Sequence, residues 1–168
     1  SEATSSLAQA PKKVMAPKSV SKLPAKGSVD FKVDSVLKLM TLDEKIGQLN
    51  LLTSDMDQTG ASMRPQYKED IRKGYVGAVF NAYGVDYVRK LQKMVMEETR
   101  LKIPLIFGYD VIHGHRTIFP SPLGESCSWD LEAMETSARI AALEAASMGL
   151  DWTFAPMVDI ARDPRWGR

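Results

Sequence analysis

Side chains able to do chemistry gather in two stretches of this 168-residue sequence. The first, Gly108-Tyr-Asp-Val-Ile-His-Gly-His115, follows a short apolar run at residues 103–107. Asp110 is thus a carboxylate at the end of an apolar segment, a costly placement unless the charge is hydrogen-bonded or meets a polar ligand. The residues leave both readings open: loop N–H groups can satisfy Asp110, or it can bind something. His113 and His115, two apart, would share one face of a strand, a spacing that suits a metal. Two histidines without a nearby cysteine make a poor metal site, however, so hydrogen-bonding loop histidines and no metal are expected. The second stretch, Asp159-Ile-Ala-Arg-Asp-Pro-Arg-Trp-Gly-Arg168, packs three arginines and two aspartates around a tryptophan. Guanidinium forks suit carboxylates and hydroxyl pairs, and the indole offers an apolar face to a sugar ring or a base. The alternative is a loop whose charges pair with one another, and composition does not choose. Cys127 has no close His–Asp pattern and is expected to be a buried, inert thiol. No phosphate-cradling G-x-x-x-x-G-K loop is present.

The elements around these stretches must position them. Val33, Val36, Leu37 and Met40 fall at i, i+3, i+4 and i+7 and predict a helix with one apolar face. Thr41-Leu-Asp-Glu44 reads as a capping box that opens a short helix from Leu42 to about Gly47. Residues 48–53 fit either a continuation of that helix or a strand. Residues 54–63 are polar and glycine-containing and read as a loop; residues 64–73 read as a helix ended by Gly74. From there the pattern repeats. Residues 76–80 suit a strand buried on both faces. Tyr87, Leu91, Met94, Val95 and Glu98 follow at helical spacing. Residues 103–107 are a second buried strand, with Pro104 near its start. Residues 130–148 predict a strong helix capped by Ser128 or Asp130 and stopped by Gly149, its alanines allowing close packing on a sheet. Residues 152–155 and 158–160 form the last strand region. Strand and helix in alternation predict an α/β fold with a parallel sheet and crossover helices. Ligands bind such sheets at the carboxyl ends of the strands, where Asn81, Asp110, His113 and residues 159–168 fall.

Composition bounds the function. The chain is 44% hydrophobic and 26% charged, ordinary for a soluble globular protein. Its 22 Lys plus Arg against 21 Asp plus Glu leave a net charge of +1, which argues against a nucleic-acid partner. No apolar run is long enough for a membrane span, and one cysteine makes no internal disulfide. Residues 1–28 are rich in Ser, Ala, Lys and Pro and lack apolar periodicity, so residues 1–29 are expected to be a disordered leader ahead of a domain at 30–168. The sequence begins with Ser1 rather than Met, as a processed or cut start would. Ala8-Gln9-Ala10 fits a signal-peptidase site, and a plain Ala/Lys/Pro tail fits as well. The stop at Arg168, in a charged loop after a strand, reads as the truncation of a larger fold.

Five ordered blocks resemble glycoside hydrolase family 3, and within it the bacterial periplasmic β-glucosidases. They are Met40-Thr-Leu-Asp-Glu-Lys-Ile-Gly-Gln48, Val76-Gly-Ala-Val-Phe80, Lys102-Ile-Pro-Leu-Ile-Phe-Gly-Tyr-Asp-Val-Ile-His-Gly-His-Arg-Thr117, Phe119-Pro120 and Ala155-Pro-Met-Val-Asp-Ile-Ala-Arg-Asp-Pro-Arg-Trp-Gly-Arg168. The resemblance implies the first half of a (β/α)8 TIM-like barrel, followed in the whole protein by an α/β sandwich domain. It implies retaining hydrolysis of terminal, non-reducing β-D-glucosyl residues, with a β-glucoside or oligosaccharide as substrate, no cofactor and a periplasmic or secreted location. The nucleophilic Asp and the acid/base Glu are expected beyond Arg168, which would leave residues 1–168 alone inactive and, as an open half barrel, poorly stable. Two residues carry over as substrate-binding: Asp110 and Arg168, both gripping hydroxyls of the terminal sugar. The alternatives are a non-catalytic carbohydrate-binding or interaction module, and a related barrel hydrolase acting on β-xylosides or N-acetylglucosaminides.

Overall fold

The computed structural model describes residues 25–57, 60–160, 162, 163 and 165; the expected leader and Arg168 therefore lie outside the described residues, apart from 25–29. The chain divides into two compact units, residues 1–36 and 37–168. Helix α1 (Val29–Leu39) begins where Ser28 Oγ accepts the backbone N–H of Phe31 at 3.1 Å. The apolar periodicity predicted this helix, yet none of its residues is buried.

In the second unit, the capping box forms as the sequence predicts. Thr41 Oγ1 accepts the Glu44 N–H at 3.2 Å and the Glu44 carboxylate accepts the Thr41 N–H at 2.8 Å, opening helix α2 (Leu42–Gly47). Glu44 is itself buried. Arg100, which lies between the next long helix and the strand after it, donates to both Glu44 oxygens at 2.9 and 2.5 Å and to the Leu39 carbonyl at 2.8 Å. The Arg100 guanidinium, and then the Thr41 N–H, hold the Glu44 carboxyl at about 2, below its ordinary 4.5.

Residues 51–53 resolve the ambiguity after α2: they are strand β1 (Leu51–Thr53). Residues 54–63 depart from the expected loop. They hold an antiparallel hairpin of β2 (Asp55–Asp57) and β3 (Gly60–Ser62), clamped at its base by Arg64, which donates to both Asp55 oxygens at 2.7 and 2.8 Å. Helix α3 (Pro65–Arg72), strand β4 (Ala78–Phe80), helix α4 (Val85–Glu98) and strand β5 (Ile106–Tyr109) follow. Strand β5 starts two residues past Pro104, so the missing N–H falls outside the ladder. A short helix α5 (Pro122–Ser126), which the sequence did not announce, precedes α6 (Leu131–Ser147), whose N-cap Asp130 accepts the Ala133 N–H at 3.0 Å. Strand β6 (Trp152–Thr153) closes the series. Residues 158–160 form no strand.

Strands β1, β4, β5 and β6 make one parallel sheet in that order, the α/β arrangement the sequence predicts. Residues alternate between its faces. Val79 and Phe107, at 0% and 1% exposure, turn toward a core built with Ile71, Val88, Leu91, Val95, Ala141 and Ala145 from the helices. The other face is covered unevenly: residues 76–79 are buried on both sides as expected, Ala78 at 8% exposure among them, but 103–107 is not. Leu51, Ile106 and Trp152 on this face are exposed and Phe80 is half-buried. Only Ala141 and Ala145 of the five alanines anticipated for close packing on α6 are buried. Gly77 shows why a side chain is missing at the start of β4: a Cβ there would lie 2.3 Å from the Gln48 carbonyl oxygen.

Candidate functional site

The carboxyl ends of the four strands lie side by side, with Thr53, Phe80, Gly108 and Trp152 in one register row. One and two residues further on come the polar side chains. At the end of β1, buried Ser54 shares a hydrogen bond of 3.2 Å with the Tyr87 hydroxyl; burial, against that bond, pushes the Tyr87 phenol up. After β4, Asn81 takes a left-handed φ of 61° and donates to Thr53 Oγ1 at 3.4 Å. After β5 comes Asp110.

Asp110 is exposed. Its backbone carbonyl accepts the Thr153 hydroxyl at 3.0 Å, which ties it to β6, but no described residue donates to its carboxylate. By alternation Gly108 and Asp110 share a face, the one that carries Phe80 and Trp152. Phe154 stands edge-on to Phe80 at 5.2 Å and beside Trp152 at 4.7 Å between ring centroids. An acceptor-only carboxylate beside an aromatic wall is equipped to take hydroxyl hydrogen bonds from a ligand with an apolar face. Tyr109 lies on the helix side, edge-on to Tyr83 and to His115; burial first, then Tyr83 and Asp110, push its phenol up.

The loop after Asp110 is wound on itself. Val111 takes φ 47°, which a β-branched residue adopts only when its surroundings enforce it. Gly114 takes φ 113°, and a Cβ there would lie 2.0 Å from the Thr117 carbonyl oxygen. His113 behaves as the sequence suggests, pairing Nδ1 with the Phe119 carbonyl at 2.9 Å. His115 does not: its buried Nδ1 finds no hydrogen-bond partner among the described residues. Sequence reasoning also missed Glu144 of α6, a carboxylate 27 and 28 residues away that accepts the Thr117 and Arg116 backbone N–H groups at 2.8 Å each and the Thr117 hydroxyl at 2.6 Å. Those bonds, the Thr117 hydroxyl first, hold its carboxyl below the ordinary range. Nothing local in the sequence distinguishes it from the other glutamates of α6.

Cys127 is exposed, not buried. It is the C-cap of α5, a helix with no buried residue, and its thiol donates to the Leu123 carbonyl at 3.3 Å. In the last stretch, Arg165 donates to both Asp163 oxygens at 2.9 and 2.5 Å, so part of this charge cluster pairs internally. The structure thus brings Asp110 to the strand ends with Asn81 and the aromatic wall, while Arg168 lies outside the described residues.

Residues 41–168 match the glycosyl hydrolase family 3 N-terminal domain. The chain is 50% identical over 139 residues to a periplasmic β-glucosidase of Salmonella typhimurium, an alignment covering 83% of this chain and 18% of that protein. Among solved structures, a β-glucosidase from Listeria innocua in complex with gluconolactone superposes with a TM-score of 0.72 at 36% identity, over 84% of this chain and 21% of that one. The glucose complex of the Listeria enzyme gives 0.68 at 35% identity, over 82% and 20%. The chain therefore spans about a fifth of the length of these relatives.

Proposed function

Because this chain belongs to glycosyl hydrolase family 3, we propose that the protein it forms part of cleaves terminal β-linked glucosyl residues, and that this segment supplies part of the sugar pocket. The observation that carries the reading is Asp110, a carboxylate with no described donor at the end of a parallel strand, on the sheet face that carries the Phe80–Trp152–Phe154 wall. Such a carboxylate accepts hydrogen bonds from adjacent sugar hydroxyls. Arg168 donates to hydroxyls of the same ring through its planar fork. The reaction is double displacement with retention: a nucleophilic carboxylate attacks the anomeric carbon, and a second carboxyl group, about 5–5.5 Å away, protonates the leaving oxygen. Neither role is assigned to a residue of 1–168. The hydroxyl contacts tighten as the ring flattens toward the oxocarbenium-like transition state, so binding at Asp110 contributes to turnover as well as affinity. That the Salmonella relative is a periplasmic β-glucosidase supports a periplasmic site of action; an enzyme found only in the cytosol on cell fractionation would sink that part.

The test is kinetic, on the full-length protein with an aryl β-glucoside. Asp110→Asn keeps the size and removes the charge. It should lower kcat/KM roughly 10- to 150-fold, the worth of one hydrogen bond to a charged group, with the unfolding midpoint little changed. Normal kinetics with reduced stability would make Asp110 a loop-holding residue and remove it from the pocket.

A further inference from the structure

We infer that Glu144 is a positioning residue for Asp110, acting through the loop that joins them; this rests on the sugar-binding reading of Asp110. The loop from Asp110 to Phe119 is partly bonded to itself: Phe119 and His113 exchange a backbone and a ring hydrogen bond, and Gly114 bridges to Ile112 and Ile118. Those bonds fix the shape of the turn, while its placement on the sheet rests on its outside anchors and on Val111, which is buried in the core. At the near end, Thr153 holds the Asp110 carbonyl. At the far end, three donors from Arg116 and Thr117 converge on the single carboxylate of Glu144. The two ends bracket Val111, whose left-handed backbone stores strain that relaxes if either anchor is lost. Relaxation at Val111 re-aims the residue directly before it, which is Asp110. An anion is suited to this task because charge-assisted bonds to backbone N–H groups are stronger than neutral ones, and Glu144 projects from α6, a seventeen-residue helix that packs Ala141 and Ala145 into the core.

The inference separates from a merely structural role by a double-mutant cycle in the full-length protein, read as kcat/KM on an aryl β-glucoside. Glu144→Ala alone should lose roughly 10-fold or more. In an Asp110→Ala background the same substitution should change the rate by less than about 2-fold, since there is no carboxylate left to aim. Equal losses in both backgrounds would overturn the inference while leaving the reading of Asp110 intact. A silent Asp110→Ala would overturn both. Where Glu144→Ala folds poorly, Thr117→Val removes one of the three bonds without touching the helix. It should give a smaller loss that also vanishes in the Asp110→Ala background, and its persistence there would count against the inference. Glu144→Gln keeps one acceptor oxygen and should recover part of the rate; no recovery over alanine would overturn the claim that the bonds to the loop are what matter.

Discussion

Glu44, at the amino ends of the strands, accepts from Thr41 and twice from Arg100 and is buried, whereas Asp110, at the carboxyl end of β5, is exposed and its carboxylate receives nothing from a described residue. The same functional group is closed off at one end of the sheet and left open at the other. Around Glu44 the backbone is regular and its cap is a common helix-start device. Around Asp110 it is strained, with Val111 and Gly114 at positive φ. The difference separates two uses of charge. A carboxylate whose lone pairs are already spent on the protein contributes to holding the fold, while one held in place by strained, well-anchored backbone keeps its lone pairs for a ligand. This is the division of labour expected of a barrel, with stability at the amino face and binding at the carboxyl face.

Glycine substitution tests the division most severely. Gly77→Ala forces a Cβ against the Gln48 backbone at the amino end and should cost roughly 1–3 kcal/mol of stability or more, with kcat/KM of the folded enzyme near normal. Gly114→Ala forces one against the Thr117 carbonyl beside Asp110 and should do the reverse, lowering kcat/KM more than the unfolding midpoint. Matching effects from the two, in thermal unfolding and kinetics, would break the comparison.

A weaker, pH-dependent effect belongs to Glu44→Gln. The folded carboxyl titrates near 2 and the unfolded one near 4.5. Its ionised form is therefore favoured by folding, and its contribution is complete above about pH 4.5 and lost as pH falls toward 2. Urea unfolding of parent and variant should show a constant gap at neutral pH that narrows between pH 4.5 and 2. A gap unchanged across that range would mean that the ion pair with Arg100 is not what stabilises this end. The smallest effect is Asp130→Ala, which removes the α6 cap. It should cost about 1 kcal/mol, seen in thermal unfolding, with no kinetic change unless α6 shifts and carries Glu144 with it.

How legible this was in the sequence depended on the range of the interactions. The capping box at Thr41, the stops at Gly74 and Gly149, and the helices α4 and α6 are set by residues within four positions of one another, and all could be read. So could the position of Asp110, since it needs only a strand and its end. The β2–β3 hairpin could not, because its strands of three residues each are too short for an alternating pattern to register, and its clamp is a pair nine residues apart, Asp55 and Arg64. Residues 158–160 look like a strand by composition but have no neighbour to pair with among the described residues. Burial on both faces holds for 76–79 but was misread for 103–107, because a run apolar on both sides does not show which of them the fold leaves exposed. Glu144 was invisible for the plainest reason: its partners, two backbone N–H groups and one hydroxyl, lie more than 25 residues away, and backbone has no sequence signature.

The order of the sheet, β1-β4-β5-β6, follows the order of the chain, and that has a consequence for synthesis. Each strand of this sheet after the first pairs with the one made just before it, Leu51 with Ala78, Ala78 with Ile106, Gly108 with Trp152. The entropy of closing each loop grows only with the logarithm of its length, and no pairing in this sheet waits on an earlier strand left unmatched. A ribosome adding about 5–20 residues per second thus hands each new strand an edge already in place, and the segment can grow by accretion from its amino end.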